Sequence, residues 1–249
     1  MNGAFYIGAT GLRAQARALD LVANNIANLN TPGFKRATAR FSEIVGAPGQ
    51  VAAGAIDGGV AVDLTHHEFA QGELKTTGKP MDVAIDGPGF IELAGPDGEL
   101  LLWRGGTLGV NADGQLTGAE GLPLRAMITA PVEARVIKIN AEGVVTAAAD
   151  ETAAPVEIGR IELAQAKDLS SLTAIGGGLY RPAADGDVIA MTTGEEGAGR
   201  LVQGALEGSN VAMSDEMVTL MLMQRVYAAN AQVLQAGDQL MAIANGLRR

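Results

Sequence analysis

The chain contains no cysteine, which excludes disulfides and thiolate metal sites outright. Charged residues make up 18 % and aromatic residues only 4 %, with one Trp and three Tyr. Cations are in deficit, with 18 Lys and Arg against 28 Asp and Glu, a formal charge of −10. Neutralising a phosphate backbone needs the opposite balance, so no nucleic-acid partner is expected. The richest apolar run, Met217 to Met223, is far shorter than the ~20 residues that a membrane span requires, so no membrane insertion is expected. Met1 to Tyr6 carries no basic residue and the segment after it is amphipathic. A cleaved signal peptide is therefore not expected.

Chemistry-bearing motifs are equally scarce. The two histidines, His66 and His67, are adjacent, and neighbours on a strand point to opposite faces. A nucleophile elbow of the Gly-x-Ser-x-Gly type does not occur. Gly194 and Gly199 have the spacing of a phosphate loop, but Arg200 and Leu201 stand where Lys and Ser or Thr are needed. Asn111, Asp113, Gly114 and Glu120 fit positions of a calcium loop, yet Gly109 occupies its first position, so a hairpin turn is the better reading. No catalytic, cofactor-binding or metal-binding residue is expected, no cofactor is called for, and the chain is not read as an enzyme.

Apolar residues make up 47 %, and the 34 glycines concentrate between Val51 and Gly199. The ends read as helix. Leu12, Leu19, Val22, Ile26 and Leu29 recur at coiled-coil spacing, and Asn30-Thr31-Pro32-Gly33 stops the pattern. Met213, Met217, Leu220, Tyr227, Leu234 and Met241 form a second stripe. It follows an acidic first turn at Asp215 and Glu216, as the helix dipole favours. Proline is absent from Ser214 to Asn245, so this helix is expected to run roughly 45–50 Å.

The middle reads as short strands. Met81 to Ile85, Phe90 to Leu93, Leu100 to Trp103, Gln115 to Thr117, Val132 to Ile139 and Val156 to Leu163 are separated by turns such as Asp97-Gly98 and Asp113-Gly114. The fold class is therefore α+β: N- and C-terminal helices pair as an axial coiled coil, and the middle domain is β-rich and mostly antiparallel. Residues 1–35 with 205–249 form the axial helical domain. Residues 36–80 with 190–204 form a connecting extended region, and residues 81–189 form the β-rich outer domain. One helix pair buries only one face of each helix, so further copies or partners are needed to cover the rest. The two stripes are thus candidate assembly interfaces.

Two segments then resemble a known family. Leu21 to Asn28, running through Asn30-Thr31-Pro32-Gly33-Phe34-Lys35-Arg36, is similar to the N-terminal signature of the bacterial flagellar rod, hook and hook-associated axial proteins. Gly204-Ala205-Leu206-Glu207-Gly208-Ser209-Asn210-Val211, followed by Glu216-Met217-Val218 and Gln224-Arg225-Val226-Tyr227, resembles the C-terminal segment of that family. The motif residues are Asn24, Asn25, Asn28, Thr31, Pro32, Gly33, Phe34, Lys35, Ser209, Asn210, Gln224 and Arg225. Gly78 to Phe90 and Arg104 to Leu108 resemble the β region of rod subunits.

The resemblance implies a structural subunit of the flagellar basal-body rod, which polymerises into the axial drive shaft that carries motor torque to the hook. It also implies partnership with other axial subunits and with copies of itself. Synthesis would be cytoplasmic, followed by export through the flagellar type III apparatus into the periplasmic rod. Length and the Gly204 to Val211 segment favour the proximal-rod type over the distal-rod type. A ligand-binding module built on the β domain is the rival reading, and it would require a concave aromatic or charged site.

Overall fold

In the computed structural model the described residues are 2–43, 60–150, 152–194 and 197–246. They fall into two compact units, each assembled from separated pieces of chain. One comprises residues 1–27, 36–68 and 211–249, and the other residues 28–35 and 69–210.

The first unit is mainly helical. Helix α1 spans Asn2–Ala27 and helix α2 spans Met213–Gly246. α1 starts ten residues before Leu12 and ends at Ala27, so Leu29 of the expected stripe falls in the turn that follows, whereas α2 begins and ends within one residue of the expected Ser214 and Asn245. Its first turn carries Asp215 and Glu216, whose negative charge complements the helix N-terminus. The helices run antiparallel and side by side. Gly8 lies so close to Leu234 that a Cβ there would fall 2.5 Å from the Leu234 side chain. Further along, the Gln15 amide meets the Met223 sulfur, and Asn25 reaches Glu216. The strands Ala37–Glu43 and Val60–His67 complete the unit as an antiparallel pair.

The second unit is β throughout. Its six-stranded sheet runs in the order Thr173–Gly176, Leu179–Arg181, Leu100–Trp103, Phe90–Ala94, Leu163–Ala166, Val188–Met191. Two three-stranded sheets accompany it. One is centred on Asp82–Asp86 between Arg200–Gln203 and Gly105–Thr107, and the other on Val144–Ala148 between Val136–Ile139 and Val156–Arg160. Among the described residues every strand pairing is antiparallel.

The turn signals lie where the hairpins close. Pro96–Gly98 joins two neighbours of the large sheet. At the other turn the Asn111 side chain accepts from the backbone N–H of Asp113 and Gln115, and Gly114 takes φ +79°. That geometry makes residues 111–114 a hairpin turn rather than a cation loop.

Two expected strands are cut shorter. Val132 is fully exposed and precedes the strand, which begins at Val136. Val156 to Leu163 divides into Val156–Arg160 and Leu163–Ala166, which belong to different sheets. The break falls at Ile161, whose side chain is buried and whose N–H donates to the Gly143 carbonyl. One stretch with apolar residues at Val156, Ile158, Ile161 and Leu163 thus serves two sheets. The core of the unit gathers Ile85, Ile91, Leu93, Trp103, Leu116 and Leu163 from several of these sheets. Each such side chain contributes about 1.5–3 kcal/mol of burial.

Candidate functional site

The N-terminal motif straddles the two points at which the chain passes between units, at residues 27/28 and 35/36. Its residues make two polar clusters, one in each unit.

In the helical unit, Asn25 is almost fully buried at 1 % exposure. Its amide nitrogen donates to the Ala37 carbonyl at 2.9 Å, and its amide oxygen accepts from the Ala37 N–H at 2.9 Å. The side chain therefore pairs with the first residue of a strand as another strand would. The same nitrogen also reaches Glu216 at 3.3 Å. Glu216 is completely buried, and it receives Arg36 Nε at 2.5 Å. That hydrogen bond, with the Glu216 charge beside it, holds the Arg36 pKa above its ordinary value. Glu68 lies 3.5 Å from Arg36 on the exposed side.

In the β unit the chain turns twice. Thr31 N–H donates to the Asn28 carbonyl while the Thr31 hydroxyl donates to the Asn28 side chain, and Phe34 N–H donates to the Thr31 carbonyl. Pro32 is exposed at the outer bend, and Gly33 adopts φ +69°. Gly33 N–H donates to the Glu207 carbonyl at 2.8 Å. A Cβ at Gly33 would meet nothing nearer than 3.6 Å, so glycine is required for its left-handed backbone rather than for space. Gly33→Ala is expected to lower the stability of this unit by about 1–2 kcal/mol, read as a shift in the urea midpoint at constant slope.

Lys35 follows, with its side chain wholly buried. Its ammonium donates to Glu207 at 2.6 Å and to the Ala70 carbonyl at 2.8 Å. Glu207 also receives Arg104 Nε at 2.8 Å and the Gly72 N–H at 2.8 Å. The rest of the Arg104 guanidinium is occupied by the carbonyls of Gly89 and Gly87. One buried carboxylate thus serves two buried cations, and backbone groups occupy the remaining valences. Burial lowers the Lys35 pKa from the usual lysine value, opposed by its bond to Glu207. Burial and the Glu207 charge raise Tyr180. Tyr180, Phe69 and Phe90 pack edge-on with centroids 5.1–5.9 Å apart, and Arg104 lies over the Phe90 ring. Asn210 closes the turn, its N–H donating to the Phe34 carbonyl and its side chain to the Ala70 carbonyl.

Asn25, Asn28, Thr31, Gly33, Phe34, Lys35 and Asn210 are therefore parts of these clusters. Asn24, Gln224 and Arg225 are exposed on the helices, and Ser209 is half-buried in the β unit. The stripe residues have mixed burial. Val22 is buried, while Leu12, Leu19, Ile26, Leu29, Leu220 and Leu234 are half-buried. Met213, Met217 and Tyr227 are exposed, and the Met241 side chain lies outside the described residues. Within the unit, the most buried line of α1 is Ala14, Gln15, Ala18, Val22 and Asn25. Glu207, Glu216 and Arg104 are the functional residues that motif reading passed over. The signal for Arg104 and Glu207 was a lone charged residue in an otherwise apolar or turn-forming segment, whereas Glu216, beside Asp215 in the first turn of α2, gave none.

The polar groups of these clusters hold backbone or pair with one another. Among the described residues there is no group of three or more His, Asp or Glu placed to hold a metal ion. No helix among them is long and apolar enough to cross a membrane.

Three family models match the chain. "Flagella basal body rod protein" covers residues 5–35. "Flagellar hook protein FlgE/F/G D1 domain" covers 84–147, and "Flagellar basal body rod FlgEFG protein C-terminal" covers 202–247. Over the whole of both chains the sequence is 34 % identical to the flagellar basal-body rod protein FlgG of Borreliella burgdorferi. The chain belongs to the flagellar basal-body rod family.

Its FlgG relative in Caulobacter vibrioides is 32 % identical over 96 % of this chain and 97 % of the relative. The FlgF relative of the same organism is 31 % identical over 94 % and 93 %. Membership of the rod family makes the chain a structural rod subunit and not an enzyme. The buried charges take on meaning here, because Lys35, Arg104 and Glu207 each lie in a different one of the three matched segments.

Proposed function

We propose that this rod subunit polymerises through α1 and α2, which form the axial layer of a tube. The observation that carries the reading is the surface of α2. Val218, Met221, Leu222, Val226 and Val233 are between 46 % and 70 % exposed, although α1 already covers another face of that helix. A 34-residue helix with that much uncovered apolar surface is characteristic of an element that awaits partners. Leu12, Leu19, Val22, Ile26, Leu220 and Leu234 would then form the seam between paired helices as an axial coiled coil. Met213, Met217 and Tyr227 would face neighbouring copies and other axial subunits.

The distal-rod position is the better supported of the two types. FlgG relatives match over the full chain at up to 34 % identity, against 31 % over 94 % for the FlgF relative. This reverses the preference drawn from length and from Gly204 to Val211. Export by the flagellar type III apparatus into the periplasm completes the reading. Electron microscopy of basal bodies from a strain lacking this chain is the test. Rods truncated at their outer end, restored by the plasmid-borne gene, are the expected result. Complete rods in the deletion strain would sink the proposal.

A further inference from the structure

The β unit has a charge distribution that its composition conceals. Of the 18 Lys and Arg and 28 Asp and Glu of the chain, seven and eight lie in the helical unit, leaving eleven against twenty in the β unit, a net charge of −9. The helical unit is thus near neutrality, and the β unit carries almost all of the excess.

Against that background, one open groove of about 950 Å³ is cationic. Its walls include Met81, Val110 and Ile137, with Arg135 and Lys138 at its side and no carboxylate among the lining residues. Both cations are exposed, and neither makes an ion pair among the described residues. Val110 is 48 % exposed, so the floor is apolar as well as accessible.

The groove follows the strand Val136–Ile139, an edge of its three-stranded sheet. That edge is held by a side chain rather than by a fourth strand. Gln203 Nε2 donates to the carbonyls of Ile137 at 2.8 Å and Pro80 at 2.6 Å, and its Oε1 accepts from the Ile139 N–H at 3.0 Å. Gln203 itself lies in the strand Arg200–Gln203, so the wall behind the groove is tied to a second sheet and pre-formed. A rigid wall that loses no conformational freedom on docking favours association.

We infer that this groove receives the acidic surface of a second copy of the chain, so that β units contact one another as well as the helices. The inference rests on the polymerising reading given above. Charge complementarity identifies the occupant: a unit of net charge −9 that repeats along a polymer offers acidic surface at every step, and Arg135 with Lys138 is the spot that attracts it instead of repelling it. Opposite potentials on two faces of one subunit also set the orientation in which copies meet.

The test places a photo-cross-linking amino acid at Val110 in the full chain, expressed in the deletion strain, with irradiation of swimming cells. The absence of cysteine allows a second, thiol-based probe through Ala134→Cys, another residue of the lining, which leaves both cations in place. Adducts at multiples of the chain mass, reduced several-fold by Arg135→Glu with Lys138→Glu, are the expected result. Swimming cells with assembled rods and no self-adduct from either probe would overturn the groove contact while leaving the rod reading intact. An adduct to a different protein would overturn the choice of a second copy. If the charge-reversed variant keeps the full adduct yield, complementarity is not what selects the occupant.

Discussion

Glu207→Gln lowers the stability of the β unit by about 3–5 kcal/mol, the range for removing one partner from a buried ionic cluster. The substitution preserves shape but leaves the buried cations of Lys35 and Arg104 facing a neutral amide. Only some of their donors have alternative acceptors, in the carbonyls of Ala70, Gly87 and Gly89. Lys35→Met is the informative companion. It leaves Glu207 paired with Arg104, a neutral pair, and so costs clearly less. Trp103 is the sole tryptophan and is 2 % exposed in the same unit, so its fluorescence reports urea unfolding directly. A loss for Lys35→Met equal to or greater than that for Glu207→Gln would show that Glu207 is not the hub of the cluster.

Leu222→Asp is expected to leave the folded subunit within about 0.5 kcal/mol of the parent and yet to abolish swimming. Leu222 is 54 % exposed, so a carboxylate there stays hydrated in the isolated chain. In a polymer whose copies cover that face, the same carboxylate would be buried without a partner, at a cost of several kcal/mol at every contact. Val22→Asp provides the contrast. At 6 % exposure on α1 it destabilises the helical unit itself, and the thermal melt records it before any assembly assay does. Normal motility with Leu222→Asp would mean that the outer face of α2 is not covered, and the axial proposal would fall with it.

The parts of the fold legible in the sequence were those governed by local rules. Helical periodicity gave α1 and α2, while Thr31-Pro32-Gly33 marked the turn after α1 and not its last residue, Ala27. Asp97-Gly98 and Asp113-Gly114 gave two hairpins, because such turns depend on a few adjacent residues. The two carboxylate clusters were not legible. Lys35 and Glu207 are 172 positions apart, and Arg36 and Glu216 are 180 apart, so no periodic signal links them. The Leu12, Leu19 and Ile26 stripe was visible, but the closer burial of Ala14 and Ala18 was not. Small residues allow the near approach seen where Gly8 meets Leu234, and apolar counting undervalues them. The division of Val156 to Leu163 between two sheets was hidden because spaced apolar residues record burial and not which sheet does the burying.

The long separation within these charge pairs has a consequence for timing. Asn25, Lys35 and Arg36 emerge early from the ribosome, whereas Glu207 and Glu216 are among the last quarter of the chain to be made. Neither unit can acquire its carboxylate until then, and loops of this length close slowly because their entropy is lost before any contact rewards it. A chain threaded through a narrow conduit with its N-terminus leading would therefore travel with both clusters open. Both would close only after the C-terminal segment had followed it out.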